Sequence, residues 1–209
     1  DFSWAIAGPW MVKYFADFGA TVVHVESRSH PDLIRAGPPF KDGKPGVDSS
    51  LYFANYHCNK YGISLNMKHP KANEVVRKLI AWADVLVENF SPGVMESWGY
   101  PYEEVKKIKP DIIMISQSQT GQTGSIARMR GTGVQLTAYG GFNYLTGWPD
   151  REPSVIYGGY TDCPAARFGA AVLVAALLHR RRTGQGIYID LSQYEAGLHL
   201  LTPVILDFR

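Results

Sequence analysis

The segment that most constrains the fold of this chain is a long apolar run beginning just after Asp162. Residues 164–178 are apolar on nearly every side of a helical wheel, which predicts a buried helix rather than an amphipathic surface helix. Pro164 in the first turn is typical of a helix start, and the basic run His179–Arg182 before Gly184 is typical of a helix end. The longest uninterrupted apolar stretch, Phe168–Leu178, is about half a membrane span, so we expect no membrane partner.

Short apolar or β-branched segments alternate with helical patterns along the rest of the chain. The predicted strands are Thr21–Glu26, Ile63–Met67, Asp84–Glu88, Asp111–Ser116 and Ile187–Ser192. The predicted helices lie at Trp10–Phe18, Ala72–Ala83, after Pro92, at Tyr102–Lys109, and after Ser192, where we expect one helix to continue to the end of the chain. The alternation predicts an α/β fold with a mainly parallel sheet that includes Val22–Val25, Val85–Val87 and Ile112–Ile115. Ser27–Ser50, rich in Gly, Pro and Asp, is predicted to be a long loop.

Composition excludes several classes of function. A net charge of +2 gives no basis for binding nucleic acid or a membrane surface, and hydrophobic residues at 45% are ordinary for a globular domain. Two cysteines and scattered histidines show no metal-ligand spacing, so no metal site is predicted. Gly121–Gly124 lacks the lysine of a P-loop, and no G-x-S-x-G elbow occurs. No signal peptide is visible, so we expect a cytoplasmic protein.

Asp162 has two interpretations at the start of the apolar helix. Its position alone favours a helix N-cap. The alternative is a carboxylate nucleophile at the positive end of the helix dipole. Gly158 and Gly159 precede it, and glycines would allow a bulky ligand to approach.

Several motifs, in consistent order along essentially the whole chain, resemble one enzyme family. They are Asp1–Pro9, Ala16–Glu26, Asn59–Lys60 with Leu65–Lys68, Ala83–Gly93, the segment around Asp162, and Arg182–Gly186. Together they resemble the family III CoA-transferases, the group that contains formyl-CoA:oxalate and carnitine CoA-transferases.

The resemblance implies that this chain corresponds to the N-terminal half of a longer protein. Residues 1–190 would belong to a large Rossmann-like domain that binds CoA, and residues 191–209 would form a helix leading toward the linker and a small domain. Family members are homodimers whose subunits interlock like rings.

The resemblance also implies a role for Asp162 as the catalytic nucleophile. Its carboxylate would attack an acyl-CoA thioester to form a mixed anhydride, and the CoA thiolate would then form an aspartyl-CoA thioester. A carboxylic acid would accept the CoA by the reverse steps. Acyl-CoA is thus a substrate, and no tightly bound cofactor is expected.

The positions that match CoA contacts in the family are Ile6, Ala7, Arg28, Leu65, Lys68, Asn89, Phe90 and Arg130. Arg130 stands where the family has a lysine. Ser97 replaces a phosphate-binding arginine, and Ser27 replaces another basic residue, for which the adjacent Arg28 is the candidate substitute. Lys68 and Arg130, taken singly, are equally compatible with solvated surface charges.

Two other functions fit the same motifs. An α-methylacyl-CoA racemase would pair the aspartate with a histidine as a second acid/base, but Thr132 occupies that position here. A catalytically silent CoA-binding subunit is the second alternative, because the glycine-rich loop of the family's active site belongs to the C-terminal half.

Overall fold

The computed structural model describes residues 1–156 and 158–208. Helices α1 to α10 span Ala7–Asp17, Leu51–His57, Ala72–Trp82, Val94–Ser97, Tyr102–Ile108, Gly133–Tyr139, Phe142–Leu145, Asp162–Thr183, Gln193–His199 and Thr202–Asp207. Strands β1 to β5 span Val23–Glu26, Tyr61–Ser64, Val85–Glu88, Ile113–Ser118 and Ile187–Ser192, and short 3-10 helices lie at Leu33–Ala36 and Lys41–Gly43.

The three strand pairings within residues 1–156 and 158–208 are all parallel, in agreement with the predicted mainly parallel arrangement. Strand β1 pairs with β2, with Val23 opposite Tyr61. Strand β4 lies between β3 and β5, with Ile113 opposite both Val85 and Ile187. Parallel strands joined by helices define an α/β fold, which confirms the predicted fold class.

The strands form two sheets, β1–β2 and β3–β4–β5, rather than the single sheet predicted. The first residues of the chain link these two sheets. The Asp1 backbone N–H donates to Val23 O (3.0 Å), and Val25 N–H donates to Asp1 O (2.9 Å). On the other side, Phe2 N–H donates to Val87 O (2.8 Å). The backbone of Asp1 and Phe2 therefore lies between β1 and β3 and bonds to both.

The core has two apolar layers, one on each face of the larger sheet. On one face Ile113 and Ile115 of β4 pack with α1 and α8, for example with Met11 and Leu173. On the other face Met114 packs with side chains of α3 and α5. This alternation follows from the two-residue period of a strand. Each fully buried isoleucine contributes about 1.5–3 kcal/mol relative to an exposed one.

The predicted strands are confirmed with one shift. Strands β1, β3 and β4 contain most of Val22–Val25, Val85–Val87 and Ile112–Ile115. The strand predicted over Ile63–Met67 instead spans Tyr61–Ser64, so its predicted start and end were both too late in the chain. Strand β1 ends at Glu26, whose carbonyl accepts the last bond of this pair from Leu65 N–H (2.7 Å), and the chain then turns.

The apolar helix forms as predicted but is less buried than expected. It is α8, and its 22 residues are long and apolar enough to cross a membrane by length and composition. One face packs on the sheet, as in the core helix of a soluble protein, but Val174 and Leu178 on the other face are each 49% exposed. The prediction of burial on all sides was wrong because, within residues 1–156 and 158–208, neighbours cover only one face.

The prediction of a single final helix was also wrong. Helix α9 ends at His199, and α10 begins at Thr202 with Pro203 in its first turn. Proline has no N–H, and its ring clashes with the carbonyl four residues earlier, so it interrupts a continuous helix.

Candidate active site

The candidate residues collect at the carboxyl ends of the parallel strands. Asn89 and Phe90 follow β3, Gln119 follows β4, and Gln193 follows β5. In open α/β sheets ligands bind in the crevice outside these ends. Asp162, the first residue of α8, reaches the same edge through its contact with Gln193.

The Asp162 side chain does not cap its helix. Thr161 occupies the N-cap position, and α8 has no side-chain capping bond there. One carboxylate oxygen, Oδ1, instead accepts a hydrogen bond from Gln193 Nε2 at 2.7 Å. The position of Asp162 thus gives it the favourable field of the helix N-terminus, while its side chain makes a tertiary contact.

The other carboxylate oxygen, Oδ2, lies in a cleft between two glycines. A Cβ added to Gly133 would lie 2.9 Å from Asp162 Cγ, and one added to Gly159 would lie 3.2 Å from it, and both would overlap Oδ2. Carbon atoms normally approach no closer than about 3.5 Å. Gly158, the other glycine considered from the sequence, adopts φ +70°, and a Cβ added there would meet no atom within 4 Å. The cleft therefore requires glycine at 133 and 159.

Burial raises the pKa of Asp162 to about 6, and the hydrogen bond from Gln193 opposes that shift. Desolvation penalises the charged form, whereas a donated hydrogen bond stabilises it. At neutral pH the carboxylate is therefore mostly ionised but poorly solvated, which is the state that a nucleophile requires.

A second part of the edge is the loop before α1, which leads into Ile6 and Ala7. Trp4 N–H donates to Asn89 Oδ1 (2.8 Å), and Asn89 Nδ2 donates to Trp4 O (2.6 Å). Ala5 has the unusual φ of +66°, and its N–H donates to both oxygens of the buried Asp32 carboxylate (3.1 and 3.0 Å). A non-glycine residue with positive φ is strained and needs such support.

The predicted apolar contacts lie together around this loop. Phe90 meets the Trp4 ring edge-on at 5.7 Å, and Phe90 and Leu65 pack against the same core cluster. Ala7 is buried as the first residue of α1, and Ile6 immediately precedes it. Asn89 uses its amide on the Trp4 backbone, so it shapes the loop rather than extending into solvent.

The predicted cations are all exposed. Arg28 follows β1, Lys68 follows β2, and Arg130 lies three residues before Gly133. Within residues 1–156 and 158–208 none of the three forms an ion pair. Ser97 and Ser27, which replace family cations, bond locally to Val94 O (2.7 Å) and Ser29 Oγ (2.8 Å). The cations are thus unpaired at the carboxyl edge, although no contact joins them to Asp162.

Thr132 has a structural role. It forms a capping box with Gln135 at the start of α6, which satisfies backbone N–H groups at that end. In the described part of the chain, no histidine contacts Asp162. A racemase-type aspartate–histidine pair is therefore not formed by these residues.

Sequence reasoning missed Gln193 and Gly133. Both follow recognisable signals: Gln193 comes directly after an apolar strand, and Gly133 follows Thr132 of a capping box. Nothing local in the sequence shows that both residues contact Asp162, because the three residues belong to elements that are far apart along the chain.

Two cavities lie apart from the nucleophile. One, of about 390 Å³, is lined mainly by apolar side chains between the two sheets, including Val23, Val85 and Leu177. The other, of about 290 Å³, is lined by Glu88, Met114 and Asp190 among others. Asp162 lines neither of these two cavities.

Comparison with known proteins agrees with this arrangement. The family model for CoA-transferase family III matches residues 1–208, and the chain belongs to that family. Among curated relatives, it is 35% identical over 205 residues to the succinyl-CoA–D-citramalate CoA-transferase of Chloroflexus aurantiacus, covering 98% of this chain and 50% of the relative. It is 34% identical over 209 residues to the succinyl-CoA:glutarate CoA-transferase of Mus musculus, covering 100% of this chain and 47% of that protein.

A solved structure has the same fold. The crystal structure of a CAIB/BAIF family protein from Brucella suis superposes with a TM-score of 0.91 at 33% identity, covering 99% of this chain and 55% of that chain. The chain spans about half the length of the curated relatives it matches.

Proposed function

We propose that this chain is the N-terminal half of a CoA-transferase, in which Asp162 is the nucleophile that carries CoA from an acyl-CoA to a free carboxylic acid. The observation that carries the proposal is the Asp162 carboxylate, with one oxygen bonded to Gln193 and the other in a cleft of two glycines. Membership of CoA-transferase family III supports the reaction class.

The reaction proceeds through two covalent aspartyl states. Asp162 Oδ2 attacks the thioester carbonyl carbon, the C–S bond breaks, and CoA leaves as the thiolate. The thiolate then attacks Asp162 Cγ, which releases the first acid and leaves an aspartyl-CoA thioester. The acceptor carboxylate attacks Cγ in turn, releases the thiolate and forms a new anhydride, from which the thiolate removes the new acyl group. Covalent catalysis replaces one difficult exchange with easier steps.

CoA binds along the carboxyl edge in this proposal. Ile6, Ala7, Leu65 and Phe90 supply the apolar wall, Asn89 holds the loop, and Arg28, Lys68 and Arg130 supply charge for the phosphates. In the full-length protein, Lys68→Ala and Arg130→Ala should each weaken the binding of CoA more than that of dephospho-CoA if the side chain contacts the 3′-phosphate. Equal, small losses for both ligands would return these residues to the role of solvated surface charges.

We further propose that the full-length protein is a cytoplasmic homodimer with interlocked subunits and binds neither nucleic acid nor membrane. Residues 1–190 would form the large domain, and 191–209 would lead toward the rest of the chain. Exposed apolar side chains support a covering partner, since Val174 is 49% and Ile205 is 49% exposed and large apolar patches mark interaction surfaces. Light scattering of the full-length protein tests this, and a stable monomer would contradict it.

The central test is Asp162→Asn in the full-length protein. Succinyl-CoA, the donor named for two relatives, should load the wild-type enzyme with a hydroxylamine-sensitive adduct on the peptide containing Asp162. The amide cannot form an anhydride, so turnover should fall by several orders of magnitude. Asp150→Asn, at an exposed loop carboxylate, is the matched control and should keep full activity.

The alternatives predict different results. A racemase would exchange the α-proton of a suitable acyl-CoA without any adduct. A silent subunit would bind CoA with neither adduct nor exchange. Near wild-type transfer by Asp162→Asn would exclude Asp162 as the nucleophile.

A further inference from the structure

The Gln193 side chain is buried at the point where the nucleophile stands. It is 5% exposed, and its Nε2 donates to Asp162 Oδ1 (2.7 Å) and to Thr161 Oγ1 (3.0 Å). Both N–H groups of the amide are therefore used at this site.

The orientation of the amide is fixed by its neighbours. The Thr161 hydroxyl donates its own hydrogen to Gly133 O (3.2 Å), so Thr161 Oγ1 is free to accept from Gln193. A flipped amide would place a carbonyl oxygen against an ionised carboxylate and against an oxygen whose hydrogen is already donated. Nε2 therefore faces Asp162.

The two oxygens of Asp162 are thus inequivalent. Oδ2 lies between the two glycines and accepts no hydrogen bond from the described residues, whereas Oδ1 accepts the bond from Gln193. In the proposed reaction Oδ2 forms the bond to the acyl carbon and Oδ1 remains as the aspartyl carbonyl oxygen.

We propose that Gln193 is a further catalytic residue, whose Nε2–H stabilises the negative charge on Oδ1 when the CoA thiolate attacks Asp162 Cγ. In that step the new S–C bond pushes the carbonyl electron pair onto Oδ1. The pair returns as the C–Oδ2 bond breaks, and the first acid leaves with Oδ2. The acceptor carboxylate attacks the same carbon later, so the donor serves both steps. This inference rests on the proposed function.

Preorganised donors of this kind are effective because they need no reorganisation as charge develops. Loss of one such donor typically slows the affected step by about 10²–10³-fold. Removal of Gln193 should spare the first attack, because an ionised Asp162 that has lost a hydrogen bond is no weaker a nucleophile. The anhydride should then persist and be exposed to water.

The experiment uses Gln193→Met in the full-length enzyme with succinyl-CoA and an acceptor acid. Methionine keeps the length of the side chain without a donor. We expect transfer to fall by about 10²–10³-fold, hydrolysis of succinyl-CoA relative to transfer to rise, and the aspartyl-CoA adduct found by rapid quench to decrease. The pH midpoint of the rate should move upward, because the donor lowers the pKa of Asp162. Gln185→Met, at an exposed turn after α8, is the control and should change none of these.

Equal loss of transfer and hydrolysis, or an unchanged ratio with an unmoved pH midpoint, would overturn the role of Gln193. If Gln193→Met does not fold, Gln193→Leu, which also removes the donor without adding a charge, should show the same selective loss. Failure of the proposed function is recognised separately, since the wild-type enzyme itself would then form no adduct.

Discussion

Replacing Gly159 with alanine probes the cleft that holds the nucleophile. The new Cβ would lie 3.2 Å from Asp162 Cγ, overlap Oδ2, and lie 3.1 Å from the Cα of Gly133 on the far side of the cleft. The carboxylate cannot retreat toward Gly133, because that residue already borders it. It must instead turn out of the cleft and away from Gln193.

The expected magnitude follows from the required displacement. Relief of the overlap moves the carboxylate by about 1 Å, and a misplacement of that size can reduce the rate by about 10²-fold. This corresponds to about 2.7 kcal/mol in the activation free energy. Gly159 does not have a positive φ, so alanine adds no backbone strain, and the overlap should lower the free energy of unfolding by about 1–3 kcal/mol.

The assay is kcat/KM for CoA transfer from succinyl-CoA by the full-length enzyme, together with the yield of hydroxylamine-sensitive adduct. Gly133→Ala should behave like Gly159→Ala, since its Cβ would lie 2.9 Å from Asp162 Cγ. Gly62→Ala is the matched control, because its Cβ would meet no atom within 4 Å. Transfer by Gly159→Ala within about three-fold of wild type would refute the requirement for glycine in the cleft.

Four further predictions concern the site and its support. The rate of transfer should rise with pH around a midpoint near 6, because burial raises the pKa of Asp162 to about 6 and only the ionised form attacks. A flat kcat/KM profile between about pH 5 and 8 would contradict this. Because the pKa of Asp162 is raised, its ionisation destabilises the fold, and the loss develops between the ordinary aspartate pKa of 3.8 and about 6. Asp162→Asn should therefore raise the free energy of unfolding in urea at pH 7 by at most about 3 kcal/mol, with no gain below pH 3.8; a variant less stable than wild type at pH 7 would contradict this. Asn89→Leu should weaken the binding of CoA and of dephospho-CoA equally in calorimetry, because it breaks hydrogen bonds to the Trp4 backbone rather than a contact with a phosphate. A larger loss of affinity for CoA than for dephospho-CoA would indicate a phosphate contact. Arg180→Met should lower stability by up to about 1 kcal/mol through loss of its bonds to Asp84 O (3.1 Å) and Asp84 Oδ1 (2.8 Å), and leave transfer unchanged; a fall in transfer at full stability would show a role in catalysis.

The sequence predicted those parts of the fold that depend on local patterns. The strands β3 and β4 were predicted because each is a short, continuous apolar run, and helix α3 was predicted because its apolar residues recur at helical spacing. The start of β2 was missed because pairing with β1, rather than apolar character, sets its register. The exposed face of α8 was unpredictable for a related reason: an all-round apolar helix does not show which side its neighbours will cover.

The site was predictable only where a single residue carries the signal. Asp162 stands out beside glycines at a helix start, and the resemblance to a family gave it a role. Its contacts depend on three elements far apart in sequence, since Gly133 begins α6, Gly159 precedes α8 and Gln193 follows β5. Sequence periodicity does not indicate such tertiary contacts, and for that reason Gln193 was not predicted as a site residue.

The link between the two sheets has a consequence for the order of folding. Asp1 and Phe2 are synthesised well before β3, yet Phe2 bonds to Val87 and Trp4 bonds to Asn89 across 85 residues of sequence. Contacts of such long range form late, because closing a long loop costs entropy before the contact stabilises the chain. During synthesis Asp1 and Phe2 therefore stay unpaired on one side until β3 has left the ribosome, and only then can the loop that precedes α1 take its shape.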